Sequence, residues 1–189
     1  MSTSTYVLIG LAVVAGFVIL LYNRLVALRQ GYRNAFADID VQLKQRADLV
    51  PNLVETVKGY AAHESGVLQK VTEARTAAMG AATMRDRGAA EGALSGALSQ
   101  LFAVAENYPQ LKANENFRQL QSELGDLENK IAAARRFLNN AVAEYNTAIE
   151  QFPAVLFART LGFANAEMFA LDAGERATAG QAPKVSFGS

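Results

Sequence analysis

FRQLQSELGDLENKIAAARRFLNNAVAEYNTAIEQF, Phe117–Phe152, is the stretch on which the fold turns. Phe117, Leu120, Leu124, Leu127, Ile131, Ala134, Leu138, Ala141, Tyr145, Ala148 and Phe152 recur at alternating intervals of three and four, the period of a helix with one apolar face. At 1.5 Å per residue, about 36 residues make a rod of roughly 54 Å. A rod with one apolar seam does not stand alone in water, so it must lie against helices of similar length.

Working outward, NRLVALRQGYRNAFADIDVQLKQRADLV places Leu25, Leu28, Tyr32, Ala35, Ile39 and Leu43 on a similar face. Pro51 removes a backbone donor and disfavours helical geometry at Val50, predicting a kink or an end there. The pattern resumes at Leu53, Val57 and Tyr60 and continues through Val67, Val71 and Ala74. A kinked long helix and two abutting helices both fit this pattern; we take a first helix from Leu25 to about Ala78, kinked at Pro51, as the long partner of the rod. The Ala- and Gly-rich stretch Ala77–Gly96 reads as the first reversal. A third helix is expected from about Ala89 to Asn107, carrying Leu94, Leu98, Leu101 and Ala105 and stopping at Pro109. Asn114, three residues before Phe117, suits the N-cap of the rod. Phe152-Pro153 ends it, and a short amphipathic piece follows with a break at Gly162-Phe163. The fold class predicted is all-α, an N-terminal transmembrane helix continuing into an elongated antiparallel bundle of long helices.

The transmembrane expectation rests on YVLIGLAVVAGFVILLY, Tyr6–Tyr22, which carries no charge. Its length spans roughly 26 Å, near the lower limit for the hydrocarbon core of a bilayer. Leu8, Leu11, Phe17 and Leu20 supply apolar surface, and Tyr6 and Tyr22 sit where interfacial aromatics belong. The leader MSTST lacks a basic region and no small-residue cleavage site follows, so a retained anchor is favoured over a signal peptide. Arg24, Arg29 and Arg33 follow the span, which by the positive-inside rule puts the N-terminus outside and the C-terminal domain in the cytoplasm of a bacterial inner-membrane protein. The domain organisation expected is 1–5 outside, 6–22 spanning, 23–172 helical bundle and 173–189 a polar, mobile tail.

Eighteen basic residues balance eighteen acidic ones, so no overall field recommends nucleic acid as a partner. The absence of cysteine excludes disulfides and thiolate chemistry. His63-Glu64 holds the one histidine of the chain, and HESGV lacks the second histidine that a helical zinc motif needs four residues on. Asp38 and Asp40, two apart, do not face each other on a helix; Glu123 and Asp126 do, with Glu128 nearby. No Glu-x-x-His accompanies them, so a di-iron bundle site is not indicated. All read as solvated faces of a charged helix. Gly88, Gly92 and Gly96 recur without the GK[ST] ending of a phosphate loop and read as a weak helix start or close-packing stripe. No cofactor, metal or catalytic residue is expected.

YNRLVALRQGYRNAFADIDVQLKQRADLVPNLVETVKGYAAHE, ALSGALSQLFAVAENYPQLKANENFRQLQSELGDLENKI and RRFLNNAVAEYNTAIEQFPAVLFARTLGF, with PKVSF near the end, resemble the LemA family of bacterial membrane-anchored proteins. The likeness covers nearly everything from Tyr22 to Phe187. It departs at Phe36, where the family often has Trp, and at Leu138, where Tyr or Phe is usual. The resemblance implies one N-terminal membrane helix followed by a bundle of long helices, and it carries no assigned catalytic residues. Function is accordingly expected to be non-enzymatic: a membrane-anchored scaffold or interaction protein, held in the bilayer by its N-terminal helix and self-associating. The alternative is an accessory or sensor subunit of a membrane-bound enzyme such as an envelope peptidase, with another membrane protein as partner. Corners carry function more often than rods, so Tyr108, Pro109, Phe117, Phe152, Pro153, Phe157 and Phe163 form the candidate interaction tip.

Overall fold

A computed structural model describes residues 3–169. Among them are the α-helices α1 (Thr3–Lys58), α2 (Ser65–Gly80), α3 (Met84–Ala105), α4 (Pro109–Ala113) and α5 (Glu115–Glu150), then a 3₁₀ turn at Ala154–Leu156, with no strand. The fold is all-α, as its periodicity requires. The tail expected to be mobile, 173–189, lies outside the described residues. Contacts divide the chain into a first unit, containing α1 up to Ile39 and Ala134–Met168, and a second, containing Asp40–Ala133.

In the second unit α1 and α5 run antiparallel, since Asn114 Nδ2 donates to Tyr60 Oη at 3.0 Å while Arg46 bonds to Glu128. The core joins Val50, Leu53 and Val57 of α1, Leu68 and Val71 of α2, Leu94, Leu98 and Leu101 of α3, Leu111 of α4 and Phe117 and Leu124 of α5. The expected single helix to Ala78 is corrected: α1 ends at Lys58, and Gly59–Glu64 reverses the chain into α2. Polar ties hold this corner against its counterpart between α3 and α5. Tyr108 Oη donates to the Glu64 carboxylate at 3.1 Å, beside the Asn114–Tyr60 bond.

Pro51, by contrast, does not end α1, which passes through it. A proline in a helix deprives the carbonyl four residues back of its donor, and that carbonyl is Ala47 O. Arg75 of α2 reaches across and donates its Nε–H to Ala47 O at 2.6 Å. The helix survives because its orphaned acceptor is satisfied from a neighbour.

The third helix also starts earlier than expected, at Met84 rather than Ala89. Thr83 caps it: Thr83 Oγ1 accepts from Asp86 N–H at 3.1 Å and donates to the Asp86 carboxylate at 2.7 Å. The Asn114 cap appears as predicted, accepting from Phe117 N–H at 3.0 Å.

In the first unit, Leu25, Tyr145, Ile149, Ala154, Ala158 and Phe163 form a buried cluster. The chain beyond α5 is clasped to it. Tyr145 Oη donates to Ala164 O at 3.0 Å, and Asn146 exchanges two bonds with the Ala166 backbone at 2.8 and 2.9 Å. Gly162, at φ 78°, turns the backbone in the left-handed region that glycine tolerates, and Phe163 follows into the core at 1% exposure. Upstream, Tyr6 through Leu20 project into solvent-facing space, Leu8 at 67% and Leu20 at 70% exposure. This part of α1 is long and apolar enough to cross a membrane.

Candidate functional site

The least expected feature is an arginine inside the core. Arg46 sits on the apolar seam of α1, three residues after Leu43 and four before Val50, and is 1% exposed. Its Nη1 donates to Ser95 Oγ at 2.7 Å and to the Glu128 carboxylate; its Nη2 donates to the Glu91 carboxylate and to Glu91 O at 3.2 Å. Glu91, 5% exposed, lies on the seam of α3, three residues before Leu94. One guanidinium thus ties α1, α3 and α5 together. Nearby, Arg87 of α3 pairs with Asp40 of α1.

These contacts correct the reading of Asp40 and Glu128 as solvated carboxylates: both are half-buried and paired with arginines of other helices. Glu64 is likewise taken up by Tyr108. Asp38 and Asp126 are exposed, His63 stands exposed in the α1–α2 corner, and Glu123 accepts from Gln119 at 2.8 Å. Gly88 is buried and Gly96 exposed, so the glycines do not form one contact stripe.

Chemically the arginine network is a clasp. A guanidinium keeps its proton at any physiological pH, and each partner of Arg46 is an acceptor engaged in holding it. The Tyr108 hydroxyl has its pKa raised, first by its hydrogen bond to Glu64, then by loss of solvent and by the charge of that carboxylate. Tyr145 is raised chiefly by burial and by Tyr32 beside it. Both phenols are therefore neutral at pH 7 and act as donors. Among the described residues no three His, Cys, Asp or Glu converge as metal ligands. A cleft of about 190 Å³ between Asp40, Lys44, Met79 and Arg87 is smaller than the roughly 300–1,000 Å³ of small-molecule pockets. A larger groove of about 420 Å³ is an open surface feature with a mixed lining, Leu49 and Leu127 side by side with Asp48, Glu123 and Lys130.

The residues grouped as an interaction tip divide between the units. Tyr108, Pro109 and Phe117 belong to the second, and Phe152, Pro153, Phe157 and Phe163 to the first. Phe117 (2% exposed) and Phe163 are core residues, whereas Phe152 is 80% exposed. Tyr6, Leu8, Leu11, Phe17, Leu20 and Tyr22 lie along one uninterrupted helix. Sequence reasoning passed over Arg46 and Glu91 because it tracked apolar residues alone. The available signal was a charge of each sign at seam positions of two helices.

The chain is similar to magnetosome protein MamQ of Magnetospirillum gryphiswaldense, 26% identical over 174 residues, covering 78% of this chain and 64% of that one. It is also similar to magnetosome proteins MamQ 1 and MamQ 2 of Paramagnetospirillum magneticum, each 27% identical over 187 residues, covering 84% of this chain and 69% of theirs. The chain thus spans about two thirds of the length of these relatives. The LemA family model matches residues 35–187, from within α1 to beyond α5. With most of its length matched in this way, the chain belongs to the LemA family.

Proposed function

We propose that this protein is a non-enzymatic scaffold, anchored in the bacterial inner membrane by Tyr6–Tyr22, with its bundle on the cytoplasmic side and with self-association as its mode of action. The carrying observation is the continuity of α1, one helix from Thr3 to Lys58. From Tyr6 to Leu20 it exposes apolar side chains suited to lipid, and from Leu25 on it enters a buried core. A continuous helix transmits position from bilayer to bundle in a way that a flexible tether does not. Support for a non-catalytic role comes from the Arg46 clasp, which engages its polar groups in holding helices together. The MamQ relatives, too, are named for the magnetosome and not for a reaction.

The chain has no cysteine, so single cysteines at the exposed Phe137 and Met79 allow crosslinking in intact membranes without background. Adducts between copies of this chain are the expected result. A single product with a different membrane protein would replace self-assembly by the accessory-subunit role. A monomer at every concentration in mild detergent, with no adduct in membranes, would end the scaffold reading.

A further inference from the structure

We propose that residues 152–161, which follow α5, are a second membrane contact: an interfacial foot resting apolar side chains among the lipid headgroups where α1 leaves the bilayer. The proposal rests on the reading of Tyr6–Tyr22 as a spanning segment. That segment covers roughly 26 Å against a hydrocarbon core of about 30 Å, so the turns of α1 just beyond Tyr22 lie in the interfacial layer.

Within the first unit, the chain after α5 is fixed at that level. The Tyr22 and Phe163 rings meet edge to face at 5.6 Å, and the Arg29 guanidinium lies 4.8 Å over the same Phe163 ring. Leu25, 1% exposed, is covered by the cluster that includes Ala154, Ala158 and Phe163. The segment therefore wraps α1 between residues 22 and 29, within roughly 10 Å along the axis from the end of the span.

Its outer side is apolar. Phe152 is 80% exposed, Leu156 71%, Val155 49% and Leu161 41%, a concentration of large apolar side chains that marks a contact surface. Lipid is the occupant that the position selects, because the interfacial layer accepts aromatic and aliphatic side chains from segments lying in its plane. Exposed Arg24 and Arg159 add positive charge facing anionic headgroups, while Glu150 at the end of α5 is engaged by Asn165 at 2.7 Å. The foot would fix the tilt and rotation of α1 as it emerges, which a single helix leaves free.

The chain contains no tryptophan, so each single-tryptophan variant reports one site. Full-length Phe152→Trp and Leu156→Trp are reconstituted in vesicles of zwitterionic and anionic phospholipids, with and without bromine near the top of the acyl chains. Both should lose most of their emission to the brominated lipid and resist aqueous acrylamide. Leu11→Trp, within the span, is the control for the anchor and should be quenched by brominated lipid. Phe137→Trp, exposed on α5 about 22 Å further from the membrane than position 152 along the helix, should stay bright in brominated lipid and be open to acrylamide. If Leu11→Trp is quenched while positions 152 and 156 stay bright and open to acrylamide, the foot is overturned and the anchor stands. Loss of quenching at Leu11 itself overturns the anchor and the foot with it. Shielding of positions 152 and 156 from both quenchers would mean that protein, a second copy included, covers this face, and also overturns the proposal.

Discussion

Replacing Arg46 by methionine keeps the seam apolar but leaves the Glu91 carboxylate buried without its cation. Arg46 and Glu91 side chains are 1% and 6% exposed, whereas Glu128 is 42% exposed and can turn to water. The penalty therefore falls on Glu91. Breaking a buried pair by removing one partner costs about 3–5 kcal/mol, and for a chain of this size each kcal/mol moves the midpoint by about 3 °C, giving a loss of about 9–15 °C. Arg46→Met/Glu91→Leu removes both charges and restores most of the stability, since well-packed apolar replacements of buried pairs are often neutral or better. Thermal unfolding in mild detergent, followed by far-ultraviolet circular dichroism across the four members of the cycle, yields the coupling.

The pH dependence of the single variant has a definite sign. A lone buried carboxylate is relieved by binding a proton that the unfolded chain does not hold, so the native state binds more protons and stability falls as pH rises. The destabilisation of Arg46→Met should thus be greatest near neutrality and shrink on acidification. A single variant as stable as the wild type, or a double variant whose losses simply add, would refute the account of the clasp.

Arg75→Met should cost about 1–3 kcal/mol by stranding the Ala47 carbonyl, and the loss should shrink in a Pro51→Ala background, where residue 51 regains its N–H; equal losses in both backgrounds would disconnect Arg75 from the proline. Tyr108 should ionise above the ordinary tyrosine range in a spectrophotometric titration, and Tyr108→Phe should remove that late transition. Because its folded-state pKa is raised, the stability it contributes is complete below the unfolded value of about 10 and is lost as pH climbs through the raised value; an alkaline unfolding limb identical in Tyr108→Phe would contradict this. Val14→Arg, at the middle of the span, should add about 2.5–3.5 kcal/mol to insertion and shift protein from the membrane to the soluble fraction.

The helices and most of the core were legible because apolar periodicity is a local property. What escaped depended on competing or non-local interactions. The corner at Gly59–Glu64 is invisible to periodicity because Tyr60 and Val67 keep the helical spacing across it; Glu64 and Tyr108 hold it from positions far apart in sequence. The long seam was read correctly at Phe117, Leu124, Leu127, Ile131, Leu138 and Tyr145, all buried, while the positions between the later ones drifted. Strict heptads predicted Ala141, Ala148 and Phe152, whereas the structure buries Val142 and Ile149 and leaves Phe152 exposed. A straight helix rotates about 20° per heptad away from such a repeat, so over about five heptads the predicted face swings by roughly 100°. Leu127, Leu138 and Ile149, eleven apart, follow the helix's own period.

The same periodicity explains why a charged clasp belongs in the core. On α3 the buried Leu94, Leu98, Leu101 and Ala105 nearly superimpose on themselves after a seven-residue slide of about 10.5 Å, with Leu101 taking the place of Leu94 and Ala105 that of Leu98. At the two sites that stay filled from α3, hydrophobic burial separates these registers by only the difference between a leucine and an alanine, about 2 kcal/mol. Arg46 adds a penalty of another kind: in the slid register it would face Leu98 in place of the Glu91 carboxylate and be buried without its anion, at several kcal/mol. The clasp therefore sets register more than it adds stability. Two properties of Arg46→Met/Glu91→Leu should therefore separate: its midpoint should stay near that of the wild type, while its amide spectrum should show more than one environment for α3. A single set of α3 resonances in that variant would mean that apolar shape already fixes the register, leaving the clasp without that role.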